Sequence, residues 1–538
     1  LRRGTSTAQE AREFLAPDAA RLHDPFLLRG AGEAAERLVW AARSKRRIVV
    51  FGDYDVDGVT AAAQLKAALM RAGADAVAFL PHRIRDGYGL KPATVRRVLS
   101  ELHPALLVTV DCGVTAAEGI ACARAAGVEV IVTDHHIVPE ELPEGAVVVN
   151  PKQPGCAYPC KDLSAAGIAL KIAEAVGRVS GRPLARESLL RAACLGTIAD
   201  LVPLTGENRI IAAAGLSALA TSRSPGLRAL LAQSGVEPGR PPDADEVAYR
   251  VAPRLNAAGR LDTAELALAL FEEREPKQAA AIARRLSVRN AERQAIERQV
   301  AAQARERVER AAAGGGGALI VEGDPGWHRG VLGIAAARLA REYHRPVLLF
   351  ALEGEMAYGS GRSVPSISLF DTMRSLTSFF LDFGGHDQAV GGTLPVARLE
   401  EFREAAREHF AQAVAAEKLV PVAEAEAELP LEQITPELAA ALAQLEPHGM
   451  GNPRPLLLCG SARGVAPLSP LGEDGARGAL RGSNGPLPCI AWRGRQALEP
   501  LFSGAESFAL HYRLERDRFR GGTRLEVIEA RRSDGVSG

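Results

Sequence analysis

Between residues 47 and 149, short apolar runs alternate with amphipathic stretches, and this alternation restricts the fold more than any other feature of the chain. Arg47–Gly52 (RIVVFG), Ala76–Leu80, Ala105–Val110 (ALLVTV), Val128–Val132 and Ala146–Val149 each have the length of a strand. An amphipathic helix from about Val59 to Gly73 parts the first two, and another runs to about Ala126 after the third. Strands spaced by helices need parallel crossovers, so the expectation is an open, parallel α/β sheet. Leu163–Val179 and Ala185–Ile198 read as further helices.

Acids gather where such a sheet binds ligands. Asp53, Asp55 and Asp57 (FGDYDVDG) directly follow the first strand, Asp111 (VDCG) ends the third, and Asp134, His135 and His136 (VTDHH) end the fourth. Sites in open α/β sheets form outside the carboxyl ends of strands, near a reversal in strand order. Asp200 (TIADLVPL) follows a helix and would complete the cluster. Crowded carboxylates raise one another's pKa, and a divalent cation removes that penalty. Aspartates with histidine suit manganese, magnesium, iron or zinc. Two ions about 3.5–4 Å apart activate a water and stabilise the leaving oxygen of a phosphodiester. Asp111, central in the order, is the expected bridging carboxylate. A calcium loop is excluded, because the twelfth residue from Asp53 is Gln64 rather than Glu. Taken alone, the Asp-His-His motif also reads as a capping Asp with two core histidines.

Glu275 to Ala313 has no Gly or Pro after Pro276 and reads as one long helix, with Ile296, Val300, Ala304 and Val308 on an apolar stripe. Its arginines (284, 285, 289, 293, 298, 305, 307 and 310) outnumber its acids, giving either a solvated face or a side turned to nucleic acid. Gly314–Gly317 breaks the helix. A second α/β unit follows, with strands at Ala318–Glu322 and Pro346–Ala351 around a helix at Gly330–Tyr343. After it, Gly359–Ser363 (GSGRS) reads as a glycine turn in which Ser360 and Arg362 either grip an anion or stand exposed. His386, behind Gly384 and Gly385, is a phosphate donor or a core histidine. Trp327 stacks on a base or anchors the helix start. From about Leu419, short runs at Pro455–Cys459, Leu487–Trp492, Ser507–Leu514 and Arg524–Ala530 suggest a small all-β barrel or sandwich. Trp492, Phe508 and Tyr512 are platforms or core there.

At 538 residues, three or four domains are expected, and 47% hydrophobic with 24% charged residues excludes a mainly disordered chain. The formal net charge is +0, so any basic groove is offset by acid elsewhere. The seven cysteines suggest a reduced cytoplasmic protein, with Cys112, Cys122 and Cys194 buried. Cys156 and Cys160 lack a partner pair at zinc spacing. No run of about 18 uncharged apolar residues indicates a membrane span, and Leu1 to Gln9 holds no apolar signal core. The first residue is Leu, so a trimmed sequence is expected.

FGDYDVDG, VDCG, VTDHH and IADLVPL, in that order, resemble the four motifs of the DHH phosphoesterase superfamily. PHRIRDGYGL (81–90), APRLNAAGRLDTA (252–264), GSGRS (359–363), FGGHDQAVGGTL (383–394) and EPHGMGNPRPLL (446–457) resemble its bacterial single-strand-specific exonucleases. The resemblance spans about residues 45 to 460. It implies a DHH catalytic domain (1–270), a connecting helix (271–313), a smaller α/β DHH-associated domain (314–418) and an OB-like β-barrel (419–538). It implies Asp55, Asp57, Asp111, His135 and Asp200 as ligands of Mn2+ or Mg2+, with Asp53 beside them and His136 on the scissile phosphate. Arg83, Ser360 and Arg362 would hold a 5′-phosphate, with His386 as a further donor. Tyr88 would stack on a base, and Arg254 and Asn256 would flank the DNA. The implied activity is metal-dependent 5′→3′ hydrolysis of single-stranded DNA to 5′-mononucleotides in recombination and repair. The implied setting is a cytoplasmic monomer working with single-strand-binding protein and a helicase. The alternatives are a phosphodiesterase for short oligonucleotides or cyclic dinucleotides, and an inactive DNA-binding scaffold.

Overall fold

The computed structural model describes residues 3–312, 317–483, 485–504, 506–517 and 521–532. The chain divides into two compact units: His23–Asp200 with Ala214–Pro421, and Leu1–Leu22 with Leu201–Ala213 and Val422–Gly538. The boundaries expected at 270 and 418 did not anticipate that the first 22 residues, or the segment after Asp200, group with the C-terminal region.

In the larger unit, β1 (Ile48–Phe51), β2 (Ala76–Phe79), β3 (Leu106–Val110), β4 (Glu129–Thr133) and β5 (Ala146–Val149) form a wholly parallel sheet in the order β2-β1-β3-β4-β5. Every residue of β1 and β3 is buried. That is why these strands read as unbroken apolar runs: helices cover both faces. The order reverses between β1 and β3, and the carboxyl ends of those two strands carry Asp53 and Asp111. A helix at Pro92–Leu102, unforeseen from the sequence, completes the crossover from β2 to β3.

The helix after β1 spans Val56–Ala72 and starts earlier than expected. Asp55 caps it by accepting from the Gly58 N–H at 3.1 Å, so Asp57 lies in its first turn. The long helix runs Pro276–Ala312; its expected end at Ala313 and the break at 314–316 lie outside the described residues. Its buried stripe includes Ala279, Ala283, Leu286, Arg293, Val300 and Ala304. Several of its arginines meet protein acids: Arg289 with Asp262 and Glu292, Arg305 with Glu342, and Arg307 with Asp324.

The same unit holds a second sheet, β6 (Ile320–Asp324), β7 (Val347–Glu353), β8 (Met356–Arg362), β9 (Asp382–His386) and β10 (Ala389–Pro395), in the order β6-β7-β8-β10-β9. Only β6 and β7 run parallel. This corrects one expectation: GSGRS is strand, not a turn, through Arg362. FGGHDQAVGG forms a β-hairpin. Trp327 is no base platform. It is 3% exposed, and its Nε1 donates to Gln303 Oε1 at 2.7 Å, fastening the long helix to this sheet.

The smaller unit holds β11 (Ala427–Glu428), β12 (Leu457–Ala462), β13 (Ser469–Leu471), β14 (Gly475–Gly482), β15 (Gly485–Ala491), β16 (Phe508–Arg516) and β17 (Thr523–Arg532), ordered β11-β12-β16-β17-β15-β14-β13. Phe508 and Tyr512 lie in its core beside Leu457, Leu480 and Phe502, which removes them as stacking platforms. Trp492 remains exposed. Cys112 and Cys194 are buried as expected, whereas Cys122 is only half-buried. None of the described cysteines is disulfide-bonded, and no described helix is long and apolar enough to cross a membrane.

Candidate active site

The acidic residues converge. Ligating atoms of Asp53, Asp55 and Asp111 lie within 4.8 Å of one another, as do those of Asp111, His135 and His136, and those of Asp57, His135 and Asp200. Asp111 and His135 each belong to two of these sets. Asp111 reaches its place in the left-handed region (φ 65), a conformation rare for a residue with a side chain and concentrated at functional sites. Gly58 is required beside Asp53: a Cβ there would come within 2.6 Å of the Asp53 backbone nitrogen.

Backbone donors fix several members. Asp57 accepts from the Ala165 and Ala166 N–H groups at 2.7 and 2.8 Å, at the start of the helix Ala165–Ser180. Asp134 is no ligand in this arrangement. One of its oxygens accepts from the N–H groups of His135 and His136, and the other from Val114. His136 Nδ1 lies 2.7 Å from Asp134 Oδ1. Tyr88 donates its hydroxyl to the Asp111 carbonyl at 3.2 Å and stands 3.2 Å from His136 Nδ1.

The electrostatics describe a cation site. Burial, then the neighbouring carboxylates, push Asp53 up to about 8, Asp57 to about 7 and Asp200 to about 9, and carry Asp111 well above the usual range. Burial drives His135 down to about 3, leaving its ring neutral with a lone pair to give. Burial, the largest single influence, opposes the ionised forms of Asp134 and His136 too. Their hydrogen bond and mutual charge attraction, with backbone donors to Asp134 and the nearby carboxylates around His136, together outweigh it, lowering the Asp134 pKa and raising that of His136. Asp53 Oδ1 and His135 Nε2 are buried without a hydrogen-bond partner among the described residues. The latter lies 3.2 Å from Asp111 Oδ1 and 3.7 Å from Asp200 Oδ2 outside hydrogen-bond geometry. Orphaned acceptors among carboxylates that resist ionisation fit divalent cations with oxygen and imidazole ligands.

Beside this centre is a group of arginines. The Arg83 guanidinium lies 3.9 Å from the Tyr54 ring centroid, and its Nε donates to the Gly259 carbonyl at 3.3 Å. Arg362 Nη1 donates to the Gly361 carbonyl at 2.7 Å and lies 3.4 Å from Ser360 Oγ. Burial, then Arg83, depresses the pKa of Arg362. Burial, then Arg83, Arg293 and Arg362, pushes Arg260 down to about 9. Cations crowded to this degree mark a place for an anion. Arg260 was missed in the sequence, although it closes the APRLNAAGR motif, whereas Arg293 was read only as one of the arginines along the long helix. Asn256 accepts from the Val56 N–H at 3.1 Å and so steadies the acidic loop. Arg254 is engaged with Ser287 Oγ and the Arg250 carbonyl. His386 lies at the exposed end of β9, with no described hydrogen bond to the arginine group. Also missed were Asn150 and Lys152, which follow β5. Asn150 Nδ2 donates to the His136 carbonyl at 2.9 Å, and Lys152 Nζ donates to the His135 carbonyl at 2.7 Å. No described metal-ligating group includes Cys156 or Cys160.

Residues 47–197 match the DHH family, N-terminal domain, residues 315–412 the DHHA1 domain, and residues 425–529 the RecJ OB domain. The single-stranded-DNA-specific exonuclease RecJ of Dickeya dadantii is 33% identical over 557 residues, covering 98% of this chain and 93% of that protein. The chain belongs to the RecJ family. The Bacillus subtilis RecJ is 34% identical over 509 residues, 94% of this chain, and the match spans 64% of that longer protein. The fold is similar to that of Thermus thermophilus RecJ crystallised with Mn2+, at a TM-score of 0.81 and 33% identity, covering 98% of this chain and 74% of that one. RecJ from the same organism crystallised with Mg2+ matches at a TM-score of 0.76 and 31% identity, covering 98% and 73%.

Proposed function

We propose that this chain is a metal-dependent exonuclease that hydrolyses single-stranded DNA from its 5′ end, releasing 5′-mononucleotides in recombination and repair. The observation that carries the reading is the pairing of the carboxylate–histidine centre with the arginine group of Arg83, Arg260 and Arg362. Asp55, Asp57, Asp111, His135 and Asp200 would hold Mn2+ or Mg2+, with Asp53 beside them and Asp111 shared between two ions. When bound, the ions supply an activated water and neutralise charge on the phosphodiester. His136, fixed and charged by Asp134, donates to the scissile phosphate. Arg83, Ser360 and Arg362 take the terminal 5′-phosphate, so the strand is anchored by its end and cut at a fixed reach. Tyr88 would add a stacking face and Arg254 a phosphate contact along the strand.

The four-part organisation with boundaries at 270, 313 and 418 belongs to the same proposal. So do a cytoplasmic setting and cooperation with single-strand-binding protein and a helicase. The test is a manganese-supplemented digestion of one 5′-labelled strand, free or annealed, beside a dinucleotide. Mononucleotide release from the free strand alone is expected. Preference for the dinucleotide, or no hydrolysis, overturns the reading.

A further inference from the structure

The cations beside the metal centre act on different carboxylates, His136 on Asp53 and Asp57 and Lys152 on Asp200. Asp53 has Arg83 and His136 as its cationic neighbours. Asp200 has a different one, Lys152, which also acts on His135. Lys152 is placed by two hydrogen bonds. Its N–H donates to Asn150 Oδ1 at 2.8 Å, and its Nζ donates to the His135 carbonyl at 2.7 Å. Asn150 is fully buried and donates its own amide to the His136 carbonyl at 2.9 Å. One short segment after β5 thus holds the backbone of both histidines. Yet an ammonium has three donors, and among the described residues a single acceptor is bonded to that of Lys152. A buried carbonyl needs only a neutral donor, so the charge is surplus to anchoring the loop.

We propose that Lys152 is a phosphate-facing cation of the active site, contacting the scissile phosphodiester from the Asp200 side while His136 contacts it from the Asp53 side. The inference rests on the nuclease reading above. Lys152 adds positive charge beside Asp200, where the charge of the phosphodiester must be met.

The sign of the effect on metal separates this role from a structural one. A cation beside the ligands opposes metal binding, so removing it leaves Mn2+ affinity unchanged or tighter. Loss of a mere anchor loosens His135 and weakens it. The experiment uses the whole chain with Lys152→Gln, which keeps an N–H donor without charge, and Lys152→Arg, which keeps the charge. Mn2+ affinity is read by calorimetry without DNA, folding by thermal melting, and kcat on 5′-phosphorylated single strand at saturating Mn2+. Lys152→Gln is expected to bind Mn2+ at least as tightly as wild type while kcat falls about 10²-fold, as for loss of a donor to developing charge. Lys152→Arg is expected to recover most of that loss. Wild-type kcat in Lys152→Gln overturns the proposal. So does Mn2+ binding weakened more than about tenfold with kcat restored at saturation. If Lys152→Gln fails to fold, the decision passes to Lys152→Arg: Mn2+ binding weakened as above with normal kcat at saturation overturns the proposal, and undiminished Mn2+ affinity with kcat within about tenfold of wild type supports it. A wild-type protein that does not cleave DNA at all would fail the nuclease reading instead.

Discussion

Replacing Arg362 with Ala isolates recognition of the DNA end from hydrolysis. Strand alternation sets Ser360 and Arg362 on one face of β8, against the first turn of the helix Leu332–Tyr343. A Cβ placed on Gly333 in that turn would come within 2.9 Å of Arg362 Nη2 and 3.0 Å of Ser360 Oγ. The positive end of the helix and the nearby Arg83 disfavour a bare guanidinium there and favour a bound anion. Arg362 has no carboxylate partner among the described ion pairs, so its removal costs the fold little while a phosphate loses a charge-assisted donor. Such bonds are worth about 1.5–3 kcal/mol. At about 1.36 kcal/mol per decade, kcat/KM on a 5′-phosphorylated strand should fall by roughly one to two decades. The assay compares the variant on the same oligonucleotide with a 5′-phosphate and with a 5′-hydroxyl, with Mn2+ affinity as a control. A ratio between the two ends equal to that of wild type refutes the reasoning, whether both rates are unchanged or both fall together.

Asp111→Ala should abolish hydrolysis and keep single-strand binding, since affinity comes mainly from phosphate contacts elsewhere; near-normal turnover with added Mn2+ would remove Asp111 from the shared position. His136→Ala should slow turnover by about 10²–10³-fold with little change in metal affinity, and calorimetry showing a lost Mn2+ with normal turnover at saturation would reverse the roles of the two histidines. The metal-free protein should lose stability as pH rises from about 7 to 9. Asp53 and Asp200, held at about 8 and 9, keep protons in the fold that the unfolded chain has already released. His135, near 3 when folded, is deprotonated throughout that window and adds little. Melting temperatures with and without Mn2+ should therefore diverge as pH rises, and a flat metal-free profile would contradict the burial of these carboxylates.

The sheet and its acidic ends were legible because a parallel strand buried on both faces leaves an unmistakable apolar run, and Asp at its end has few structural uses. β8 was not legible. Glycine is disfavoured in strands, so GSGRS reads as a turn, but Gly359 and Gly361 lie opposite Phe350 and Leu348 in the neighbouring strand, whose side chains take the space. The aromatics misled for a related reason. Trp327 and Tyr512 carry polar handles that suit a wet surface, yet both bury them with partners, Gln303 Oε1 and the Leu429 carbonyl, and Phe508, which has none, packs in the apolar core. Asn150 and Lys152 escaped notice because their work is done on backbone carbonyls, which no side-chain pattern announces.

The glycines of β8 tie selectivity to the hydrocarbon behind it. A Cβ on Gly359 would come within 2.4 Å of the Phe350 ring, and one on Gly361 within 2.6 Å of a Leu348 methyl. Ser360 and Arg362 are therefore aimed from the rear, by a strand seated directly on its neighbours' side chains with no methyl between them. A change in the bulk of residue 348 or 350 tilts that seat and moves the guanidinium with it. Selection for enzymes that accept unphosphorylated ends should thus recover substitutions in the buried layer as well as in the cleft, and such variants should trade melting temperature for breadth of substrate.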